Sequence, residues 1–200
     1  MHRRMLLQSS MLLVLAFWLF PFVSTRAAEP LEVVKSAADR AVQVLQDPEL
    51  KTPERKTERV ARLKEILNPI FDYDEMARRC LGPYWRQRTP AEQEEFARLF
   101  RAFIEKTYSE KIDFYKSEKI VFGRETIDRD YAQVDSTVIN PKGEAFSVVY
   151  RLKRSDGQWR VYDAVVENIS IVNNYRTQFE RVISKSSYEE LKKMLKEKAG

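Results

Sequence analysis

The chain has 200 residues, of which 44% are hydrophobic, and this suffices for one domain with a sizeable core, or one domain and a small extension. The formal net charge is +5, but acidic and basic residues are interspersed without a long block of either sign, which argues against nucleic-acid binding. A single cysteine excludes an intramolecular disulfide.

The N-terminal segment has the three parts of a secretory signal peptide. A pair of arginines is followed by an almost wholly apolar run, and small residues then precede cleavage after Ala27 or after Ala28. The alternative is an uncleaved membrane anchor, but a spanning helix needs about 20 apolar residues and this run is shorter. We therefore expect residues 1–27 to be removed and residues 28–200 to form a single exported domain.

Removal of this segment limits the chemistry open to the chain. It takes Arg3, Arg4 and Arg26 from the 35 basic residues, which leaves 32 against 30 acidic residues and a net charge near +2. It also takes His2, the one histidine, so the exported chain can form no Ser-His-Asp or Cys-His pair and no zinc site of clustered His and Cys. Cys80 is then expected to be a small, buried, apolar residue.

Hydrophobic residues at helical spacing predict three helices in the first half of the chain. The first lies between Pro30 and Pro48, and the second follows Thr52 and ends before Pro69. The third is short and ends at Gly82, in the usual C-terminal manner.

The longest helix is predicted from Pro90 to Tyr115. Thr89 and Glu92 have the spacing of a capping box at its start. Its apolar stripe is rich in aromatic residues: Phe96, Leu99, Phe100, Phe103, Ile104, Tyr108, Ile112 and Tyr115. A stripe of this kind faces a core or lines a cavity.

Alternating apolar and polar residues then predict about four antiparallel strands. They cover residues 119–124, 131–139 and 146–153, and a long final strand that starts after Gly157. On that strand one parity is mostly apolar and is expected to share one face of the sheet: Trp159, Val161, Val165, Ile169 and Ile171. A helix with Tyr175 and Phe179 on one face follows, and a last helix starts near Ser187. Helices before and after a run of strands indicate an α+β fold with helices wrapped around the sheet.

Several stretches resemble one protein family. Residues 71–77 (FDYDEMA) and 81–86 (LGPYWR) are similar to the FDF-x-x-MA…LG-x-YWR signature of the MlaC/toluene-tolerance family, and residues 159–163 (WRVYD) and 169–179 continue the resemblance. Asn168 stands where the family usually has glycine. Asn tolerates positive φ better than most residues, so we expect a kink or bulge there to be retained.

The resemblance implies an NTF2-like fold that encloses an apolar cavity. It also implies a periplasmic phospholipid carrier with no catalytic residues, no metal and no cofactor apart from the bound phospholipid cargo. The implied partners are an outer-membrane lipoprotein–porin complex and an inner-membrane ABC transporter complex with an MCE-domain subunit. Headgroup preference, the number of acyl chains and transport direction are left open.

The apolar residues of the longest helix and of the sheet are the candidate cavity walls. We expect lipid contacts from these twelve residues: Phe96, Phe100, Phe103, Ile104, Tyr108, Phe146, Val148, Tyr150, Val161, Val165, Ile169 and Ile171. For each of them, ordinary core packing is the alternative interpretation.

Two other functions compete with that of a carrier. One is a periplasmic adaptor that binds a transporter and has a filled core without a ligand. The other is an NTF2-like enzyme in which Asp163 and Tyr150 or Tyr162 act as an acid–base pair.

Overall fold

The computed structural model describes residues 29–110 and 118–200. The predicted signal peptide, and the predicted part of the longest helix beyond Glu110, including Ile112 and Tyr115, lie outside these ranges. No helix within the described residues combines the length and the apolar composition needed to cross a membrane.

The described residues form six α-helices and five strands. The helices are α1 (Pro30–Gln46), α2 (Lys56–Leu67), α3 (Tyr73–Leu81), α4 (Pro90–Ser109), α5 (Ile171–Lys185) and α6 (Tyr188–Ala199). The strands are β1 (Lys119–Asp128), β2 (Tyr131–Ile139), β3 (Ala145–Ser155), β4 (Gln158–Val166) and β5 (Ile169–Ser170).

The strands form one antiparallel sheet in the order β1-β2-β3-β4-β5, which confirms the predicted α+β class. Sequential strands are neighbours because tight turns join them. Asp156 and Gly157 both have positive φ, 51° and 75°, as a two-residue hairpin between β3 and β4 requires.

The predicted capping box starts α4. The backbone N–H of Glu92 donates to the Thr89 hydroxyl at 3.3 Å, and the N–H of Thr89 donates to the Glu92 carboxylate at 2.7 Å. This places the start of the longest helix where the sequence predicted it, because the signal is entirely local.

Two apolar clusters occupy different parts of the molecule. One lies among α3, α4, α5 and α6 and includes Met76, Phe96, Phe100 and Phe179. The other lies between α1 and the sheet and includes Val34, Val134 and Leu152.

A β-bulge interrupts β4. Leu152 pairs with Val161, but the neighbouring Arg151 pairs with Asp163, so Tyr162 is an extra residue without a partner on β3. An extra residue reverses the alternation of side chains along the rest of the strand, because successive residues point to opposite faces.

The prediction that one parity of β4 shares one face was therefore wrong. Beyond the bulge, Ala164 pairs with Tyr150 and Val166 pairs with Val148, so these four residues share the face of Val161. Val165 points to the opposite face.

The prediction of one continuous strand up to Ile171 was also wrong. Glu167 and Asn168 have positive φ, 48° and 65°, and turn the chain back on itself. Ile169 and Ser170 pair with the end of β4 as a short edge strand, and Ile171 is the first residue of α5. The expectation that Asn168 allows a kink is confirmed.

Candidate functional site

Two apolar cavities lie between the helices and the sheet. The first has a volume of about 370 Å³, and its walls come from α1, α2, α4, the start of α3, the start of α5 and Ala164 of β4. Its larger apolar lining residues are Leu45, Val60, Leu63, Leu67, Phe71, Met76, Ile104, Tyr108 and Ile171.

The second cavity has a volume of about 580 Å³ and lies between α1 and the sheet. Its sheet wall consists of Ile120, Val138, Phe146, Val148, Tyr150, Val161 and Val166. The side chains that face it come from neighbouring strands because directly opposed residues of an antiparallel sheet point to the same side.

Polar groups are few in the first cavity and lie mainly on α2 and α4. The ammonium of Lys64 on α2 and the carboxylate of Glu105 on α4 form an ion pair at 2.8 Å. Burial raises the pKa of Glu105, but hydrogen bonds from Lys64 and Arg101 outweigh it, and the net pKa is lowered. Glu105 is therefore ionised at neutral pH.

The phenols that face the cavities are uncharged at neutral pH. Burial raises the pKa of Tyr73 to about 12, and burial also raises the pKa of Tyr108 and of Tyr150. A neutral phenol costs far less to bury beside a hydrocarbon than an ionised group does, so these side chains are compatible with an apolar ligand.

Seven of the twelve predicted contact residues line a cavity. Ile104, Tyr108 and Ile171 line the first. Phe146, Val148, Tyr150 and Val161 line the second.

The other five lie elsewhere. Phe96, Phe100 and Phe103 pack in the helical cluster, where the Phe96 ring lies 6.0 Å from the Phe179 ring at 90°. Val165 is buried on the opposite face of the sheet, and Ile169 is 64% exposed on β5. As contacts of a bound lipid, all twelve stay predictions.

The sequence reasoning missed the contributions of α1 and α2. Ala41, Leu45 and Leu67 line both cavities, although their helices show only an ordinary amphipathic stripe. Phe71 also lines both cavities, and the one available signal for it was its place in the FDYDEMA stretch.

The carboxylate that we considered for acid–base chemistry has a structural role. Asp163 accepts hydrogen bonds from the Ser170 hydroxyl at 2.7 Å, the Val172 N–H at 3.0 Å and the Arg151 guanidinium at 3.1 Å. These contacts hold the start of α5 against β4 and occupy both carboxylate oxygens.

Cys80 is buried, as expected, and its thiol lies 3.6 Å from the Val172 carbonyl oxygen. Burial raises the pKa of this thiol, which keeps it protonated and unreactive at neutral pH. Among the described residues, no group of three or more His, Cys, Asp or Glu side chains is placed to hold a metal ion.

Comparison with known proteins gives concordant matches. Residues 35–197 match the family model described as MlaC protein. The intermembrane phospholipid transport system binding protein MlaC of Haemophilus influenzae is 23% identical over 187 residues, which cover 89% of this chain and 87% of that protein. The toluene tolerance protein Ttg2D of Pseudomonas putida is 26% identical over 179 residues, which cover 87% of this chain and 81% of that protein.

A solved structure has the same fold. It is the phospholipid-binding protein from Ralstonia solanacearum in complex with a phospholipid, with a TM-score of 0.73 and 25% sequence identity. The match covers 86% of this chain and 97% of that one.

Proposed function

The chain belongs to the MlaC family, and from this premise we propose that it is a phospholipid-binding carrier. In this proposal it is exported to the periplasm and moves lipid between the outer and inner membranes as the soluble component of an Mla-type ABC transport system. Its partners are then an outer-membrane lipoprotein–porin complex and an inner-membrane transporter complex with an MCE-domain subunit.

The observation that carries the proposal is the pair of adjoining apolar cavities. Each CH₂ group that leaves water for an apolar environment contributes about 0.8 kcal/mol, so an acyl chain contributes on the order of 10 kcal/mol. A binding site of this kind needs no polar anchor for tight binding. The adaptor alternative requires a filled core, and the two cavities favour the carrier.

A role without catalysis agrees with the contacts of the candidate acid. A general acid or base must reach a substrate proton, whereas the Asp163 oxygens are occupied by Ser170, Val172 and Arg151.

The first experiment is native mass spectrometry of protein purified from a Gram-negative host, followed by extraction and identification of the bound lipid. We expect a protein–phospholipid complex. A mass equal to that of the bare chain in every preparation would contradict the proposal.

Adjacent residues of β3 offer a matched pair of variants. Val148 lines the second cavity, whereas Val149 points to the opposite face and lines neither cavity. Val148→Glu places a charge in an apolar cavity, so we expect it to abolish lipid retention, since burying an unpaired carboxylate is costly. Val149→Glu introduces the same side chain and should retain lipid. Circular dichroism checks that both variants are folded, and equal lipid content in the two would argue against a ligand in this cavity.

A further inference from the structure

Phe71 occupies the boundary between the two cavities. Four residues line both: Ala41, Leu45, Leu67 and Phe71. The first three lie on α1 and α2, whereas Phe71 lies in the segment between α2 and α3. It has the largest side chain of the four, so truncation of this side chain would change the boundary most.

The backbone at Phe71 is fixed to the sheet. Residues 70–72 run parallel to β4, where the N–H of Val161 donates to the Ile70 carbonyl at 2.7 Å and the N–H of Asp72 donates to the Val161 carbonyl at 2.9 Å. Two hydrogen bonds that flank one residue hold its Cα in place, so the ring projects from a rigid support.

The ring itself joins the two halves of the interior. Within the described part of the chain, Phe71 is the one partly buried residue that packs against both apolar clusters. Its ring centroid lies 6.0 Å from that of Tyr73, which restricts it on one side. An apolar ring that lines both cavities can contact a hydrocarbon chain in each of them.

We propose that Phe71 sorts the hydrocarbon chains of the cargo, one chain to each cavity, and thereby determines how bulky a lipid the protein accepts. This inference rests on the proposed function, and it names the cargo as a glycerophospholipid with two chains. The two cavities differ in volume, about 370 Å³ against 580 Å³, so the two chains have unequal space. Without the ring, the two cavities become one, and a lipid with more than two hydrocarbon chains can enter.

The experiment offers the exported protein a choice of lipids. Delipidated protein is incubated with vesicles that contain equal amounts of lysophosphatidylglycerol, phosphatidylglycerol and cardiolipin with the same acyl chains. These lipids carry one, two and four chains, and native mass spectrometry gives the ratio of their complexes.

We expect the wild type to take mainly the two-chain lipid. Phe71→Ala should raise the ratio of four-chain to two-chain lipid by at least about tenfold, the lower end of steric discrimination in an apolar pocket. Phe122→Ala is the control, because Phe122 is a partly buried phenylalanine of the sheet cluster that lines neither cavity. The control should keep the wild-type ratio.

The outcomes separate this inference from the proposed function. A wild type that takes up none of the three lipids overturns the proposed function. A wild type that binds lipid, with Phe71→Ala unchanged in ratio, overturns the sorting role alone, and so does an equal shift in Phe122→Ala. If Phe71→Ala fails to fold, Phe71→Leu keeps the site apolar with a smaller side chain, and the same ratio decides in the same way.

Discussion

The carboxylate of Asp163 accepts a hydrogen bond from the Ser170 hydroxyl at 2.7 Å and so ties β4 to the start of α5. Asp163 is 2% exposed, and removal of its carboxylate leaves the Val172 N–H without this acceptor. We expect Asp163→Ala to lower the free energy of unfolding by about 3 kcal/mol, because the substitution removes a buried charged acceptor and leaves its hydrogen-bond donors without it. Urea unfolding measures the change.

Asp128→Ala is the control for that substitution, because Asp128 is an exposed residue at the end of β1. It should change the free energy of unfolding by less than about 0.5 kcal/mol. Equal effects of the two substitutions would mean that the Asp163 contacts do not stabilise the fold.

The ion pairs of Glu75 are expected to make the stability of the fold fall at acid pH. Burial raises its pKa, but hydrogen bonds from Arg78 and Arg79 at 2.6 to 2.8 Å outweigh burial and lower the pKa from 4.5 to about 2. A carboxylate with a lowered pKa stabilises the fold above its unfolded-state pKa, and this contribution is lost as the pH falls towards the folded-state value.

The lowering corresponds to roughly 3 kcal/mol of stability. Between pH 4.5 and pH 2 the wild type should therefore lose more stability than Glu75→Gln, which has no proton to gain. Urea unfolding over a series of pH values gives the two curves. Parallel curves through this window would show that the Glu75 ion pairs contribute nothing.

Substitutions of Asn168 test the backbone conformation of the turn between β4 and β5. A φ of 65° costs a residue with a Cβ about 1–2 kcal/mol, whereas glycine adopts it at almost no cost. Asn168→Val should therefore lower the midpoint of thermal unfolding, whereas Asn168→Gly should keep or raise it. A valine variant as stable as the glycine variant would argue against positive φ at this position.

The ion pair between Lys64 and Glu105 links α2 and α4 beside the first cavity. Removal of the ammonium in Lys64→Met should raise the pKa of Glu105, because Lys64 supplies the first of the hydrogen bonds that lower it. Carbon-13 NMR of the Glu105 carboxylate follows this titration. Lys51→Met removes an exposed lysine between the first two helices, so it should leave the Glu105 titration unchanged.

The helices and the β3–β4 hairpin were predictable because their signals are local, whereas the turn between β4 and β5 was not predicted as a hairpin. Thr89, Pro90 and Glu92 define the start of α4 within four residues of sequence, and Asp156-Gly157 defines the β3–β4 turn in the same way. The family could be recognised from the sequence because its motifs are spread over most of the chain in a constant order.

The cavity walls were harder to predict because they depend on two non-local features. The bulge at Tyr162 reverses the alternation of β4, so Ala164 rather than Val165 lines a cavity, and no residue type at Tyr162 indicates this. On α4, the same stripe contains Phe96, which packs against α5 and α6, and Tyr108, which lines the first cavity. Which end of the stripe meets which neighbour is decided by where α5 and α6 pack.

The rings of Phe100, Phe179 and Tyr188 pack against the Phe96 ring, and none of these four rings lines either cavity. Under the proposed function, loss of the lipid would leave these ring contacts in place, whereas the α1 and α2 side chains that line both cavities would lose their contacts with it. Under the same proposal, a carrier of this kind would keep this part of its core through each cycle of loading and release, and one molecule could serve many cycles.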